Sequence, residues 1–382
     1  MKKISILGST GYIGRQTLEV AGSFPEQFQI CSLSSGSNTG LLLEQAEKFS
    51  ASAVCVADEE KAREAEKAAG GKIRVLSGKR GLCEIAGDDS ETVVAAIVGS
   101  AGLEPTLAAI RAGKRVALAN KEAVVAAGKF LTDEAERSGA SIIPVDSEHS
   151  AVFQAIRAGG EVKRIVITAS GGPFRNATPE QLGKVTAKQA LRHPTWDMGD
   201  KITIDSATMM NKAFEIIEAR WLFDIPPEKI SVWIHPQSIV HSIVEFTDGS
   251  YVCQMSEPDM RVPIAYALSF PERLPLKTSP LTPERLSACS FEEADAKKIT
   301  PLALAFEALE KGGTAPAALS AANEEAVRLF LDNRIEFTDI VAIARTVMRE
   351  SGYEPADCVE AVAAADGAAR EKVKSMVSGK KK

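Results

Sequence analysis

The segment Asp205-Ser206-Ala207-Thr208-Met209-Met210-Asn211-Lys212-Ala213-Phe214-Glu215 has the residue types and spacing most suggestive of chemistry in this chain. Helix-start residues open it, and a helical pattern follows. On a helix, Asn211 and Glu215 stand four apart and Lys212 and Glu215 three apart. An amide, an ammonium and a carboxylate therefore share one face, beside the hydroxyls of the first turn. Such a face suits a phosphorylated, hydroxylated small molecule bound together with a metal ion. A solvated helix face is the alternative for this segment taken alone.

A second polar cluster strengthens the first reading. Ser141-Ile142-Ile143-Pro144-Val145 reads as a buried strand that ends in Asp146-Ser147-Glu148. Residues two apart on an extended chain face the same way, so the Asp146 and Glu148 carboxylates are expected to converge. Side by side they repel unless a cation or a shared proton intervenes. Oxygen ligands suit a hard ion, Mg²⁺ or Mn²⁺. The alternative is an acidic turn that caps the next helix.

These clusters need a scaffold, and the first 145 residues predict one. Strands are expected at Lys3–Leu7, Gln29–Ser34, Ala53–Ala57, Ile73–Leu76, Val93–Val98 and Arg115–Ala119. Helices are expected from about Arg15 to Ala21, at Leu41–Phe49 and at Glu59–Ala69. That alternation means an α/β domain with a Rossmann-like, doubly wound parallel sheet. Gly8, Gly11 and Gly14 follow the first strand, where glycines let the backbone turn tightly and approach a dinucleotide pyrophosphate. The end of the second strand reads Ser34-Ser35-Gly36-Ser37-Asn38, with no acid to hold a ribose 2′-hydroxyl. A carboxylate would repel a 2′-phosphate, so this turn favours NADPH. Asn120-Lys121-Glu122 ends the sixth strand, where the nicotinamide end should reach, and Lys121 could hold a substrate oxygen there.

Residues 146–270 read as a central α+β catalytic domain. Val162–Ala169 is expected as a strand leading into Ser170-Gly171-Gly172-Pro173-Phe174, a loop with amides and a hydroxyl suited to phosphate. His193-Pro194-Thr195-Trp196-Asp197-Met198-Gly199 has the makings of a mobile lid over 193–201, with Trp196 covering the ligand and His193 touching it. Ile230–Ile234, Ser242–Phe246 and Ser250–Gln254 predict strands of a second, mixed sheet, with a turn at Asp248-Gly249. A proline-rich connector covers 271–299. From 300 to 382 the pattern is a C-terminal helical bundle, with runs at Leu302–Lys311, Leu319–Asp332, Asp339–Glu350 and Cys358–Met376. Asn323 and Glu324 in it read as helix-packing groups.

Composition excludes several classes. The net charge of −6 offers no basic footprint for nucleic acid. The six cysteines are scattered, with no Cys-x-x-Cys pair, and read as thiols in a reducing compartment. No apolar run approaches the roughly 18 residues of a membrane helix. The opening residues enter a strand directly, so a cytoplasmic protein is expected.

Taken together, eight motifs resemble the 1-deoxy-D-xylulose 5-phosphate reductoisomerase family. They are Gly8-Ser9-Thr10-Gly11-x-Ile13-Gly14, Asn120-Lys121-Glu122, Asp146-Ser147-Glu148-His149-Ser150, Ala169 through Phe174, His193-Pro194-x-Trp196-x-Met198-Gly199, Asp205 through Glu215, His235-Pro236-Gln237-Ser238 and Glu257-Pro258-Asp259-Met260-Arg261. The resemblance covers essentially the whole chain. It implies rearrangement of 1-deoxy-D-xylulose 5-phosphate and NADPH-dependent reduction to 2-C-methyl-D-erythritol 4-phosphate, a step of non-mevalonate isoprenoid synthesis.

It also implies residue roles. Asp146, Glu148 and Glu215 would hold Mg²⁺ or Mn²⁺ and, with Lys121, form the catalytic group. Ser147 would touch the substrate backbone. Ser170, Ser206, Asn211 and Lys212 would cradle its phosphate, with His193 on the lid. Thr10, Gly11, Tyr12, Ile13, Gly36, Ser37, Asn38, Asn120, Glu122 and Gly199 fall at NADPH positions. A homodimer is expected through the resemblance alone. Two positions depart from the family pattern: Tyr12 stands where many members have Ser, and Ser37 where many have a basic residue. The rival readings are a metal-assisted NADP-dependent polyol or hydroxy-acid dehydrogenase, and an NADPH-sensing regulator without turnover. The first needs no phosphate cradle beside the carboxylates, and the second has no use for three acids aimed at one point.

Overall fold

The computed structural model describes residues 1–193, 196, 198–296 and 298–379. Pro194, Thr195 and Asp197 of the expected lid and the C-terminal lysines lie outside the described residues. The chain forms two compact units. The first comprises Met1–Ala123, Leu131–Ser150 and Asp259–Lys277, and the second Val124–Phe130, Ala151–Pro258 and Thr278–Lys382.

The first unit is built on β1 (Lys2–Leu7), β2 (Phe28–Ser35), β3 (Ala53–Val56), β4 (Arg74–Ser77), β5 (Thr92–Ala95), β6 (Arg115–Leu118) and β7 (Ser141–Pro144). All pair in parallel, in the order β4-β3-β2-β1-β5-β6-β7. Ile4, Ile6, Leu7 and all four residues of β3 are buried, as expected for strands covered on both faces. Strand order reverses between β1 and β5, which places a ligand crevice at the carboxyl ends of those two strands. The Rossmann-like expectation therefore holds.

Two boundaries differ from the sequence expectation for local reasons. The fifth strand stops at Ala95, because the Ile97 carbonyl accepts from the Asn120 side-chain amide instead of a ladder neighbour. The first helix begins at Tyr12, with Gly11 as its N-cap, so Gly14 lies inside the helix. The segment Asp259–Lys277 returns to this unit. Its helix Arg261–Ser269 is fixed by Arg261 donating to Asp259 and, at 2.7 Å, to Glu19. Arg115 Nη1 donates to the Phe270 carbonyl at 2.8 Å.

At the amino ends of the strands lies a buried polar knot. The Asp88 carboxylate accepts from Ser5 Oγ at 2.6 Å, Ser32 Oγ at 2.7 Å and Lys114 Nζ at 3.0 Å. Lys114 is 7% exposed and also donates to Ser90 Oγ at 3.1 Å. One carboxylate thus ties together β1, β2 and the entries to β5 and β6.

The second unit holds a mixed five-stranded sheet of β8 (Val162–Ala169), β9 (Ile230–Ile234), β10 (Val240–Phe246), β11 (Tyr251–Met255) and β12 (Glu292–Glu293), in the order β11-β10-β8-β9-β12. Only β8 and β9 pair in parallel. Gly249 makes the expected hairpin turn with φ +87. The helices Thr300–Lys311, Ala315–Leu331, Phe337–Glu350 and Val359–Gly379 form the expected helical C-terminal region. Ala315–Leu331 is buried along most of its length. Its small residues let neighbours approach closely, and the Phe330 and Phe337 rings meet edge-on at 5.7 Å.

The helix expected to open at Asp205 does not open there. Asp205 sits inside Asp200–Thr208, whose N-cap is Gly199, and the chain breaks at Met209 with φ +67 before Met210–Leu222 begins. The helical pattern is real, but one left-handed residue divides it.

Burial opposes ionisation of Asp88, yet the hydrogen bonds from Ser5, Ser90 and Ser32 outweigh it and hold the carboxyl below the usual carboxylate range. A carboxylate depressed in the folded state adds stability above its unfolded value near 3.9, and that contribution disappears as pH falls through the folded value. Asp88→Ala should cost roughly 3 kcal/mol, because it leaves the Lys114 ammonium buried without its anion. Urea unfolding at pH 7 and at pH 3 would check both points. Asp88→Asn should narrow the stability gap between the two pH values, and a gap equal to that of the parent would assign the acid sensitivity to another group.

Candidate active site

The dinucleotide loop is constrained by contact, since a side chain on either of two glycines would collide with backbone. A Cβ on Gly8 would lie 2.7 Å from the Ala96 carbonyl oxygen, and one on Gly14 would lie 2.3 Å from the Gly8 carbonyl oxygen. Gly8 also has φ +87, which favours glycine. Gln45 clamps the loop from the neighbouring helix: its Nε2 donates to the Ser9 carbonyl at 3.1 Å, and its Oε1 accepts from Ser9 Oγ at 2.7 Å. Thr10 Oγ1 meets Ser35 Oγ at 3.0 Å. Tyr12 and Ile13 occupy the first turn of the helix that follows Gly11.

Gly36, Ser37 and Asn38 are exposed at the end of β2. The Asn38 carboxamide caps the next helix by accepting from Leu41 N at 3.3 Å. No acid occupies this turn, as expected. Asn120 is buried and spends its side chain inside the protein. Its Nδ2 donates to the Ile97 and Gly99 carbonyls, and its Oδ1 caps the helix Lys121–Ser138 by accepting from Ala123 N at 2.7 Å. A cofactor contact at Asn120 therefore falls to its backbone. Glu122 is buried and accepts from Gly99 N at 3.3 Å.

Also in the first unit, Lys121 Nζ donates to Asp146 Oδ2. Burial disfavours the Asp146 anion, but the charges of Lys121 and His149 and the hydrogen bond from Lys121 hold its carboxyl far below the usual range. Asp146 is thus an anion across the functional pH range. Ser147 Oγ donates to Glu148 Oε2 at 2.5 Å. The extended-chain argument for Asp146 and Glu148 does not hold. Ser147 starts the helix Ser147–Ile156, and Ser150 N donates to the Asp146 carbonyl at 2.8 Å. The two carboxyls meet across the helix entry, not along a strand.

In the second unit, Glu215 is fully buried. Its Oε1 accepts from Asn211 Nδ2 at 2.6 Å and its Oε2 from Lys212 Nζ at 2.5 Å. The i,i+4 and i,i+3 geometry is as expected. Asn211 Oδ1 is buried with no partner among the described residues. At the start of the helix Met210–Leu222, Met210 N donates to Thr208 Oγ1 at 3.4 Å, so the hydroxyl before the break takes up the helix's first amide.

The loop after β8 packs on the turn that precedes this helix. Gly172, with φ +69, approaches so closely that a Cβ would lie 2.8 Å from the Ser206 carbonyl oxygen. Ser170 Oγ accepts from Gly172 N at 3.2 Å and meets His193 Nε2 at 3.3 Å. Phe174 anchors the loop against Phe337, with ring centroids 5.3 Å apart. Ser170 thus meets His193 and its loop packs on Ser206, while Asn211 and Lys212 meet at Glu215. His193 Nδ1 accepts from Trp196 N at 2.9 Å, and the Trp196 ring lies 6.1 Å from that of His241. Gly199 is exposed at the N-cap of Asp200–Thr208.

Sequence reasoning missed three supports. Asn323 Nδ2 donates to Asp205 Oδ1 at 2.7 Å, joining the C-terminal helices to the segment that precedes Met210–Leu222. Gln45 lies on the buried side of its helix beside Leu42 and Ala46, a position where an amide needs a partner. His235 is buried neutral: its Nδ1 faces the Ser290 carbonyl at 2.9 Å, and its Nε2 accepts from the amides of Ile239 and Val240 at 3.1 Å.

Comparison with known proteins agrees with this geometry. Models of 1-deoxy-D-xylulose 5-phosphate reductoisomerase match residues 4–128, and models of its C-terminal domains match residues 142–223 and 255–372. A reductoisomerase of that name from Pelodictyon phaeoclathratiforme is 49% identical over 99% of this chain and 100% of its own length. One from Pelotomaculum thermopropionicum is 50% identical over 97% of each. The Zymomonas mobilis enzyme solved with NADPH shares 40% identity and superposes with a TM-score of 0.91 over 98% of this chain and 99% of its own. A reductoisomerase solved with NADPH, fosmidomycin and magnesium shares 39% identity, with a TM-score of 0.95 over 99% of this chain and 98% of its own. The chain belongs to the 1-deoxy-D-xylulose 5-phosphate reductoisomerase family.

Proposed function

We propose that this chain converts 1-deoxy-D-xylulose 5-phosphate to 2-C-methyl-D-erythritol 4-phosphate with NADPH and Mg²⁺ or Mn²⁺, in non-mevalonate isoprenoid synthesis. The observation that carries the reading is Glu215, a fully buried carboxylate bonded to the amide and ammonium expected to face a phosphate. A simple polyol or hydroxy-acid dehydrogenase has no need of that pairing.

The donor set fits a hard divalent ion: Asp146 is held ionised, Glu148 adjoins it, and Glu215 supplies a third carboxylate. A bound ion would polarise the substrate's carbonyl and hydroxyl oxygens. Lys121 would stabilise negative charge on those oxygens, and Ser147 would orient the carbon chain. Ser170, Ser206, Asn211 and Lys212 would grip the phosphate, with His193 and Trp196 closing over it and excluding water. The glycine loop fits a dinucleotide because no Cβ can occupy Gly8 or Gly14. Thr10, Gly11, Tyr12 and Ile13 would then meet the pyrophosphate. Gly36, Ser37 and Asn38 would meet the 2′-phosphate, and Asn120, Glu122 and Gly199 would border the nicotinamide end. The residues 1–145 serve the cofactor in this reading, and 146–270 the substrate.

A homodimer is proposed as well. On edge strand β11, Tyr251 and Met255 are 53% and 43% exposed on one face, an apolar edge that a second copy would cover. No helix among the described residues is long and apolar enough to cross a membrane, in keeping with a cytoplasmic enzyme.

Three experiments test these readings. Asp146→Asn, Glu148→Gln and Glu215→Gln should each lower turnover at least about a thousandfold and weaken Mn²⁺ binding, as removal of a transition-state group does. Near-normal turnover and Mn²⁺ affinity would remove the residue concerned from the metal set. Ser37→Asp would place a charge beside the 2′-phosphate. Like charges about 4 Å apart cost on the order of 4 kcal/mol at an effective dielectric of 20, less at an exposed turn. The ratio of kcat/KM for NADPH over NADH should therefore fall, and an unchanged ratio would place the 2′-phosphate elsewhere. Sedimentation should give twice the chain mass, reduced by Tyr251→Glu; a monomer in the parent protein would overturn the dimer.

A further inference from the structure

We infer that Asp205, Lys201 and Asn323 form a buried positioning unit that sets the phosphate cradle, and that Asn323 ties phosphate recognition to the C-terminal helices. The inference rests on the proposed role of Ser206, Asn211 and Lys212.

Asp205 is 1% exposed and Asn323 is fully buried. The Asp205 carboxylate accepts from Lys201 Nζ, one helical turn earlier, at 2.8 Å and from Asn323 Nδ2 at 2.7 Å. Thr208 Oγ1 donates to the Asp205 carbonyl at 3.2 Å. The side chain and the backbone of one residue thus hold the last turn of Asp200–Thr208 in place.

That turn carries the cradle. Ser206 adjoins Asp205, and its carbonyl is the surface on which Gly172 packs. Three residues later Met209 takes a left-handed conformation with φ +67, and the helix bearing Asn211 and Lys212 follows. A residue with a Cβ is strained in that conformation, and the surrounding structure must enforce it. The Asp205 unit is the anchor immediately before the break. Rotation of the turn would swing Ser206 away from the Ser170 loop and change the angle between the two helices.

The orientation of Asn323 is set by charge. An ionised Asp205 can only accept, so the Asn323 amide must turn its Nδ2 toward it. Its Oδ1 is left buried without a partner among the described residues. An acceptor abandoned in this way costs stability. A residue serving packing alone could be an apolar side chain of similar size. Asn323 gives up that stability and in return fixes one carboxylate on another element.

The test uses the full chain with NADPH and Mg²⁺. Asn323→Ala and Asp205→Asn should raise KM for 1-deoxy-D-xylulose 5-phosphate and Ki for inorganic phosphate roughly tenfold, with KM for NADPH unchanged. Because Asn323 acts through the cradle, Asn323→Ala combined with Ser206→Ala should raise KM little beyond Ser206→Ala alone. Fully additive effects, or equal rises in both Michaelis constants, would show a general structural role and overturn the inference. If Ser206→Ala raises KM and Ki while Asn323→Ala and Asp205→Asn do not, the cradle stands and the positioning unit falls. If Ser206→Ala moves neither, the cradle reading fails and the inference fails with it. Should Asp205→Asn not fold, Asn323→Ala decides the matter alone.

Discussion

A carboxylate taken out of water must be met by a cation or by several donors, and this chain meets the requirement repeatedly with lysine. Lys121 meets Asp146, Lys212 meets Glu215, Lys201 meets Asp205 and Lys114 meets Asp88. An uncompensated buried charge costs several kcal/mol, so each pair constrains the elements that carry it. Lysine is a compact point charge on a flexible stem. A guanidinium would grip both carboxylate oxygens and hold them. An ammonium meets one carboxylate oxygen, as Lys121 does at Asp146 Oδ2 and Lys212 at Glu215 Oε2.

The second constraint is space. Gly8 and Gly14 are required because backbone atoms already occupy the positions their Cβ atoms would take, and Gly172 is required by the Ser206 carbonyl. Close backbone approach shapes one loop in each unit. In the first unit it opens the loop after β1, at the point where strand order reverses. In the second it brings the loop after β8 against the turn before Met210.

Much of this was legible in the sequence because periodicity is a local property. The strand Val162–Ala169, the strand Ile230–Ile234 and the helix Glu59–Ala69 fall where their patterns place them. The Asn211, Lys212 and Glu215 face follows from helical spacing alone. The failures share a cause: each involves a residue that acts at a distance or against its propensity. Met209 carries no sign that it will turn left-handed, so Asp205 looked like the start of a helix. Asp146 looked like the end of an extended run because the apolar face of the helix at Ser147 begins only at Ala151, and the turn that caps that helix was the alternative reading. Asn323 looked like packing because its partner lies 118 positions away. Family resemblance assigned roles to residues, but it did not indicate what holds those residues in place.

What remains is why the site tolerates costs that a core would remove. Met209 holds a left-handed conformation without being glycine, and Asn211 Oδ1 and Asn323 Oδ1 are buried without partners among the described residues. Each costs of order 1 kcal/mol or more. Met209 and Asn211 lie within the segment from Asp205 to Glu215, and Asn323 bonds to its first residue. Strain and unsatisfied polar atoms persist only where the surrounding contacts over-determine them. Here those contacts are the Asp205 bonds on one side and the buried Glu215 pairings on the other. Between these two fixed carboxylates the chain makes a sharp turn, and in the proposed site the hydroxyl, amide and ammonium beside that turn would meet the substrate phosphate.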